Sequence, residues 1–245
     1  MAPNLTNEQM IRHARTIALP EIGTEGVNRL MKASVIIVGA GALGCITAMY
    51  LAAAGIGCIG IIDFDTVGLS NLQRQLAYTE TDLGLPKVQV LEIKLHAINP
   101  DVRIKAYNAM LTQANAPELL SSYDIIIEGS DNPATKYLVS DTAAALHRPC
   151  VIGGVRGFIG QITTQLPDGP TYRDFFPEPP ETCGLTPCST TGVLGPVPGL
   201  IASLQATEAI KLLTGIGCPL SGRLLQIDTL TMKVWELTES SDSSD

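Results

Sequence analysis

The sequence predicts an α/β fold, with a Rossmann-like, mainly parallel sheet that is flanked by helices and continued by antiparallel strands in its C-terminal part. Up to about residue 155, short apolar segments alternate with helical ones, as a parallel sheet with helical crossovers requires. A Gly-x-Gly-x-x-Gly string joins the first predicted strand to a helix. After Val155 the pattern changes, and residues 157–166 alternate as a half-exposed antiparallel strand does.

The elements of the parallel part follow from apolar spacing and from helix-capping residues. Thr6 is a suitable N-cap for the first helix. Pro86 fits the first position of a helix of about ten residues that ends near Asn99. The remaining pattern predicts helices at 6–18, 24–32, 42–54, 113–120 and 134–146, strands at 34–38, 58–63, 102–107, 123–128 and 149–153, and a loop with a short helix at 67–78.

The C-terminal part contains a different set of elements. Residues 167–190 are rich in Pro, Gly and Thr and predict a long mobile loop, which is usually functional or disordered. A strong helical pattern follows at 197–213, and two closing strands are expected at 223–228 and 232–237. We expect the acidic tail, residues 238–245, to be disordered.

Composition excludes several classes of protein. Charged residues make up only 16% of the chain and apolar residues 45%, which indicates a large buried core rather than a disordered protein. Residues 33–62 carry no charge, but six glycines interrupt them, so a strand-turn-helix-turn-strand unit is favoured over a membrane span. The net charge of −8 disfavours nucleic acid as a partner. The polar N-terminal residues do not resemble a signal peptide, and we expect a cytoplasmic protein.

The glycine-rich string predicts a nucleotide site. Gly39, Gly41 and Gly44 lie between a strand and a helix, where glycines let the backbone approach phosphates at the helix N-terminus. Asp63 follows Gly39 by 24 residues at the end of the next strand, where an acid can bond ribose hydroxyls. This pattern is compatible with NAD, FAD or ATP.

The residues after Asp63 favour a triphosphate. Asp65 is followed by Asn71 and Arg74 in the string SNLQRQ, and Lys87 comes directly after Pro86. A triphosphate needs such cations because charge develops on its oxygens when one phosphate is attacked. The alternative is that Arg74 and Lys87 are surface charges.

A third polar segment follows the fourth predicted strand. A carboxylate such as Asp131, at the carboxyl end of a parallel strand, lies on the ligand side of the sheet. It could hold Mg²⁺ against phosphate oxygens. Asp131 or Asn132 could equally serve as the N-cap of the next helix.

These motifs together resemble the MoeB/ThiF/HesA family, the bacterial relatives of ubiquitin-activating enzymes. The resemblance extends over residues 7–237, and the string SNLQRQ behind Asp-x-Asp is its most specific part. The other matching strings are R-x-x-R at 12–15, LPEIG at 19–23, VGAGALG at 38–44, INPDV at 98–102, SDN at 130–132, FIGQI at 158–162, TTGVLGP after Cys188, and LQATEAIKLLTG at 204–215.

The resemblance implies an ATP-dependent adenylyltransferase. Such enzymes bind Mg²⁺ and ATP together with the Gly-Gly tail of a small ubiquitin-like sulfur-carrier protein. The tail carboxylate attacks the α-phosphate, and the acyl adenylate then accepts sulfur from a separate donor. The chain would be one adenylation domain over 1–237, with a nucleotide-binding part at 33–155 and a carrier-binding and crossover-loop part at 156–237.

The resemblance also assigns roles to individual residues. Asp63 would bind the ribose, and Asp131 would position Mg²⁺. Arg15 would reach the phosphates of a partner subunit, which implies a homodimer. The phosphates would be held and polarised by Asn71, Arg74 and Lys87, and the remaining cofactor-binding positions would be Gly39, Gly41, Gly44, Asp65 and Asn132.

Cysteines mark both a match to the family and a departure from it. Cys188 matches the family's reactive cysteine in the crossover loop, and Cys183 could resolve a disulfide or persulfide with it. Most relatives hold zinc with two Cys-x-x-Cys pairs, but the first pair is replaced here by Thr171 and Asp174 and the second by the acidic tail. We therefore expect no zinc site, and we expect Cys45, Cys58 and Cys150 to be core residues.

Three alternatives remain beside the leading interpretation. The same site could adenylate another carboxylate, on a peptide C-terminus or a modified tRNA base. The chain could be an inactive partner subunit, although such subunits typically lose the Arg, Lys and Asp set that is present here. A plain NAD oxidoreductase would need a catalytic acid or base near the nicotinamide, and the sequence offers no candidate.

Overall fold

The sheet has a parallel half and an antiparallel half. In the computed structural model, which describes residues 5–177 and 192–238, the strands form one sheet of order 3-2-1-4-5-6-7-8. The first five are parallel and the last three antiparallel. The strands are β1 (Ser34–Val38), β2 (Cys58–Asp63), β3 (Arg103–Asn108), β4 (Ile125–Glu128), β5 (Cys150–Arg156), β6 (Ile159–Gln165), β7 (Arg223–Asp228) and β8 (Lys233–Thr238). The predicted fold class is confirmed.

Helices cover both faces of this sheet. Alternate residues of β1 explain why two layers form, since Val35 and Ile37 enter one hydrophobic cluster while Ile36 and Val38 enter the other. Because both faces are buried, the strand reads as a continuous apolar run. The helices are α1 (Asn7–Arg12), α2 (Ala14–Ile17), α3 (Gly23–Lys32), α4 (Ala42–Ala54), α5 (Lys87–Ile98), α6 (Ala116–Ser121), α7 (Pro133–Ala145), α8 (Tyr172–Phe175) and α9 (Pro196–Thr214).

Several predicted boundaries shift, each for a local reason. Pro86 is the N-cap of α5 rather than its first residue. The helix expected at 113–120 begins at Ala116, because Asn115 accepts a hydrogen bond from the backbone of Thr112 and forms a turn there. The fifth strand extends to Arg156, since it pairs along its whole length with β6.

The C-terminal predictions are only partly covered by the described residues. The expected long loop contains a one-turn helix, α8, and residues 178–191 lie outside the described ranges. Thr238, which the tail prediction included, is the last residue of β8. Residues 239–245 lie outside the described ranges. Across the described parts of the chain, no helix is long and apolar enough to cross a membrane.

The helix predicted at 6–18 is broken at His13. Thr6 caps α1 as expected, and His13 ends that helix with its side chain only 3% exposed. The imidazole lies against Gly55, where a Cβ atom would come within 2.7 Å of Cε1. Gly55 ends α4 with a φ of +84°. The break therefore docks the two N-terminal helices onto the end of α4.

Burial makes this contact sensitive to pH. Desolvation and then the neighbouring Arg12 lower the pKa of His13, while Asp101 acts in the opposite direction. The contribution of neutral His13 to the free energy of unfolding is therefore fully present above the unfolded-state pKa of about 6.5. It is lost as the pH falls through that value and toward the folded-state pKa. We expect the free energy of unfolding to decrease more for the wild type than for His13→Phe between pH 7.5 and pH 5.5. Denaturant unfolding at both pH values measures this, and a constant difference between the proteins would contradict it.

Candidate functional site

A cavity of about 480 Å³ lies at the carboxyl ends of the parallel strands. This is the edge where open α/β sheets bind ligands. Most of the residues predicted for nucleotide binding meet there. Those that line the cavity are Gly39, Gly41, Asp63, Asp65, Arg74, Lys87, Asp131 and Asn132.

The three glycines of the loop have different physical roles. Gly39 has a φ of +94°, and a Cβ atom there would lie 3.0 Å from the carbonyl oxygen of Gly129. Gly44 is in the first turn of α4, and its Cβ would lie 1.8 Å from the carbonyl oxygen of Gly39. At Gly41 the nearest atom to a Cβ would be Gln75 Nε2, at 3.7 Å. Gly39 and Gly44 thus close the loop onto the helix, while Gly41 faces the cavity.

Asp63 supports the loop and also faces the cavity. Its Oδ2 accepts a hydrogen bond from the backbone N–H of Ala40 at 2.6 Å, and its Oδ1 accepts one from Asp65 N–H at 2.8 Å. A carboxylate has about four acceptor positions, so two remain for other donors. Ribose hydroxyls are suitable donors, and the half-buried side chain lines the cavity.

Lys87 carries a buried ammonium group into the cavity. It is 4% exposed and begins α5, and its Nζ lies 2.9 Å from Asp65 Oδ2. Its backbone N–H donates to the carbonyl of Asp65, which fixes the start of the helix beside β2. Tyr78 closes the wall behind it by donating from its hydroxyl to the carbonyl of Ala40 at 2.7 Å. Burial raises the pKa of Tyr78, so it remains a neutral donor.

Arg74 supplies a second positive charge. Its Nη1 donates to the carbonyl of Ser70 at 2.9 Å, which orients the guanidinium. Among the described residues it has no carboxylate partner within ion-pair distance. A planar guanidinium with free donors suits phosphate oxygens.

The sequence predicts two roles for the segment after β4, a Mg²⁺ ligand and a helix N-cap, and two neighbouring residues suit one role each. Asn132 is the N-cap of α7, because its Oδ1 accepts from Thr135 N–H at 2.8 Å. Asp131 is exposed at the cavity and makes no hydrogen bond or ion pair with any residue in the described part of the chain. A carboxylate with free oxygens fits the one or two carboxylates by which Mg²⁺ is usually held beside phosphates.

Other predicted site residues lie outside the cavity lining. Asn71 accepts a hydrogen bond from Gly68 N–H at 3.0 Å and so caps a 3₁₀ turn at Leu69–Asn71. Arg15 is exposed on α2, away from the cavity lining. Cys188 and Cys183 lie outside the described residues.

Sequence reasoning missed three polar residues: Lys136 and Gln75, which line the cavity, and Glu128, which pairs with Lys136. Glu128 and Lys136 form a buried ion pair, in which Lys136 lines the cavity and Glu128 is fully buried. Gln75 is 4% exposed, and its buried Oε1 has no hydrogen-bond partner among the described residues. A charged residue that ends the otherwise apolar strand β4 was the available signal for Glu128. Its partner comes from the next helix, and spacing alone does not reveal that pairing.

A second cavity of about 250 Å³ adjoins the first. The two share Asp131, Lys136 and Val155, and the second extends over the antiparallel strands toward Gln161 and Gln226. A chain that entered through the second cavity would therefore reach Asp131 before it reached the glycine loop.

Local packing explains the three core cysteines and the two residues that replace the first zinc-binding Cys pair of the relatives. Cys45, Cys58 and Cys150 are buried, as predicted, and burial raises the pKa of the Cys45 thiol to about 11. Thr171 donates from its N–H at 2.6 Å and from its Oγ1 at 2.8 Å to Asp174 Oδ2, and the pair caps α8. Within residues 5–177 and 192–238, no three His, Cys, Asp or Glu side chains come together as a metal site.

The fold and the cavity define a nucleotide-binding α/β protein of the doubly wound type. The ThiF family matches residues 13–245, and the chain belongs to that family. Its similarity to adenylyltransferases supports the same activity class for this chain.

The relatives share sequence along most of the chain. A sulfur carrier protein adenylyltransferase of Thermus thermophilus is 44% identical over 95% of this chain and 88% of its own length. A probable adenylyltransferase/sulfurtransferase MoeZ of Mycobacterium tuberculosis is 43% identical over 99% of this chain, which spans 63% of MoeZ. The MOCS3 protein of Arabidopsis thaliana is 43% identical over 94% of this chain and 50% of its own length.

Solved structures show the same fold. The crystal structure of PaaA has a TM-score of 0.83 at 22% identity and covers 98% of this chain and 76% of its own. The structure of Escherichia coli MccB with ATP has a TM-score of 0.83 at 21% identity and covers 96% of this chain and 72% of its own.

Proposed function

We propose that this protein activates the C-terminal Gly-Gly carboxylate of a ubiquitin-like sulfur-carrier protein as an acyl adenylate, with release of pyrophosphate. One observation carries the proposal. Lys87, Arg74 and the carboxylate of Asp131 line the same cavity as the glycine loop, and that cavity adjoins a second one. Two substrates could therefore meet at Asp131.

The chemistry requires positioning and charge neutralisation rather than a protein nucleophile. A carboxylate oxygen of the carrier attacks the α-phosphorus of ATP, a P–O bond forms, and the bond to the pyrophosphate oxygen breaks. The glycine loop offers its backbone to the phosphates, and Asp63 accepts from ribose hydroxyls. Lys87 and Arg74 donate to phosphate oxygens where negative charge increases.

Asp131 is the residue that would hold Mg²⁺. Its carboxylate is unpartnered among the described residues and lies where both cavities meet. When bound, Mg²⁺ would screen the negative charge of the phosphates against the approaching carboxylate. Asn132 lines this cavity as the N-cap of α7. Asn71 caps the 3₁₀ turn outside the cavity lining, and its role at the phosphates is the one that the family resemblance implies.

Further parts of the proposal depend on residues or partners beyond the described site. Arg15 is exposed on α2, which suits a homodimer in which it reaches the partner subunit's nucleotide.

Cys188 would take part in sulfur transfer, with sulfur from a separate donor. We propose that zinc is not required, since Thr171 and Asp174 form a helix cap where a Cys pair would stand. Unpaired thiols at Cys45 and Cys150 suit a cytoplasmic location.

ATP–pyrophosphate exchange tests the proposal directly. We expect exchange that requires Mg²⁺ and a ubiquitin-like carrier ending in Gly-Gly, because only a bound carboxylate can form the adenylate. The same carrier without its two C-terminal glycines is the matched control and should give no exchange. Exchange only with a peptide C-terminus or a modified tRNA base would favour adenylation of another carboxylate. Absence of exchange with every Gly-Gly carrier would contradict the proposal.

A further inference from the structure

The carboxylate of Asp131 has no partner among the described residues, although the backbone around it is firmly held. The residue before it, Ser130, donates from its N–H to Glu128 Oε1 at 2.8 Å and also from its hydroxyl to the same oxygen. The residue after it, Asn132, is fixed by the cap of α7. Both flanks of Asp131 are therefore anchored, although its own side chain makes no bond within the described part of the chain.

The anchor is a buried ion pair between α7 and β4. Lys136 is 8% exposed and Glu128 is fully buried. The ammonium of Lys136 donates to Glu128 Oε2, to the carbonyl of Ser130 at 3.0 Å and to the carbonyl of Gly153 at 2.6 Å. All three of its N–H groups are therefore used, and none remains for a substrate. Lys136 acts on the backbone around it.

This network connects three elements at the junction of the two cavities. Glu128 ends β4, Gly153 belongs to β5, and Lys136 lies in the first turns of α7. Gln205 of α9 adds a fourth element by donating from Nε2 to the backbone carbonyl of Glu128 at 2.7 Å. Desolvation, the largest influence, raises the pKa of Glu128, and Lys136 opposes that effect. The charged form of Glu128 therefore depends on Lys136 for its stabilisation.

We propose that the Lys136–Glu128 pair is a positioning device that holds the carboxylate of Asp131 where the nucleotide cavity meets the second cavity. The inference rests on the proposed function, because it takes Asp131 to act on the reacting phosphates. Lys136 and Glu128 are positioning residues, since neither has a free polar group directed at a substrate. Misplacement of a reacting group by about 1 Å costs about 10²-fold in rate, so loss of the anchor should reduce turnover more than nucleotide binding.

The test compares Lys136→Met, Lys136→Arg and the double variant Glu128→Gln/Lys136→Met by exchange kinetics and thermal unfolding. We expect Lys136→Met to lower kcat for exchange by about 10²-fold, a larger effect than its change in KM for ATP. Lys136→Arg should recover part of the rate. The double variant should regain thermal stability, because no unpaired charge stays buried, but it should remain slow.

A second ion pair, with a buried carboxylate and a half-buried lysine, provides the control. Glu208 and Lys211 form an ion pair on α9, outside both cavities, and Glu208 also accepts from Thr164 at 2.6 Å and from Leu220 N–H at 2.8 Å. The variant Glu208→Gln/Lys211→Met should keep the wild-type kcat. Wild-type kcat in the Glu128→Gln/Lys136→Met variant, or an equal loss in the control, would overturn the inference.

One further measurement separates this inference from the proposed function. Calorimetry of ATP binding with and without Mg²⁺ needs no carrier protein. If the wild type shows no exchange, the proposed function fails, and this measurement still tests the anchor. We expect Mg²⁺ to tighten ATP binding in the wild type and to have the same reduced effect in Lys136→Met and Asp131→Asn. An undiminished Mg²⁺ effect in Lys136→Met would overturn the inference.

Discussion

Replacement of Lys87 by Met is expected to lower ATP–pyrophosphate exchange by about 10²–10³-fold, the range seen when one preorganised donor to a developing charge is removed. The ammonium is buried at the cavity wall and is held 2.9 Å from Asp65, so its position is fixed before the nucleotide arrives. A fixed charge in a partly dry site neutralises phosphate oxygens without reorganisation during the reaction. Exchange kinetics with a Gly-Gly carrier measure the effect.

Lys94 provides the matched control for this experiment. It lies on the same helix, α5, and pairs with Asp82 at 3.6 Å, outside the cavity. Lys94→Met should keep the exchange rate within about twofold, because a surface ion pair contributes only about 0–1 kcal/mol to stability and this one contacts no substrate. The carboxylate left behind by Lys87→Met is about half exposed, so the fold should persist. Exchange by Lys87→Met at the wild-type rate would contradict the assignment.

The parts of the site that the sequence predicted are those that local geometry determines. Gly39 and Gly44 lie five residues apart, and the strand-turn-helix that contains them dictates their contact. Asp63 ends β2 and Asp131 lies in the loop that follows β4, so the topology alone places them on the ligand edge. The same reasoning separated the parallel half from the antiparallel half at Val155, close to the end of β5.

The parts that the sequence did not predict depend on packing between distant segments. Lys136 meets Glu128 only because α7 folds back over β4, and its third acceptor, Gly153, comes from β5. His13 interrupts an acceptable helical pattern because the buried imidazole has to fit against Gly55, 42 residues later in the chain. Helical spacing describes a segment in isolation, whereas these contacts exist only in the assembled fold.

Asp63 illustrates why a motif role and a structural role can coincide. The resemblance assigned it to the ribose, and the structure shows that it also holds Ala40 and Asp65 through their backbone N–H groups. Asp65 in turn pairs with Lys87. The glycine loop, the ribose acid and the phosphate cation are therefore one connected unit, so the geometry of each depends on the other two.

Alanine substitution in the glycine loop should separate folding from nucleotide binding. A Cβ atom at residue 44 would lie 1.8 Å from the Gly39 carbonyl oxygen and 3.2 Å from Ile37 Cγ2, so backbone has to move. We expect Gly44→Ala to lower the free energy of unfolding by about 3 kcal/mol, the upper part of the range for overpacked sites. Denaturant unfolding measures this loss, and an unfolding curve like that of the wild type would contradict the assigned contact.

Gly41→Ala should leave the free energy of unfolding almost unchanged and weaken ATP binding. Gly41 has a φ of −79°, which any residue adopts, and the nearest atom to its Cβ would be 3.7 Å away. The free energy of unfolding should therefore stay within about 0.5 kcal/mol of the wild type. The added methyl group would occupy the space where the backbone has to approach the phosphates, and we expect ATP binding measured by calorimetry to weaken at least about tenfold, or about 1.4 kcal/mol. Undiminished ATP binding by Gly41→Ala would show that the phosphates do not approach the backbone at Gly41.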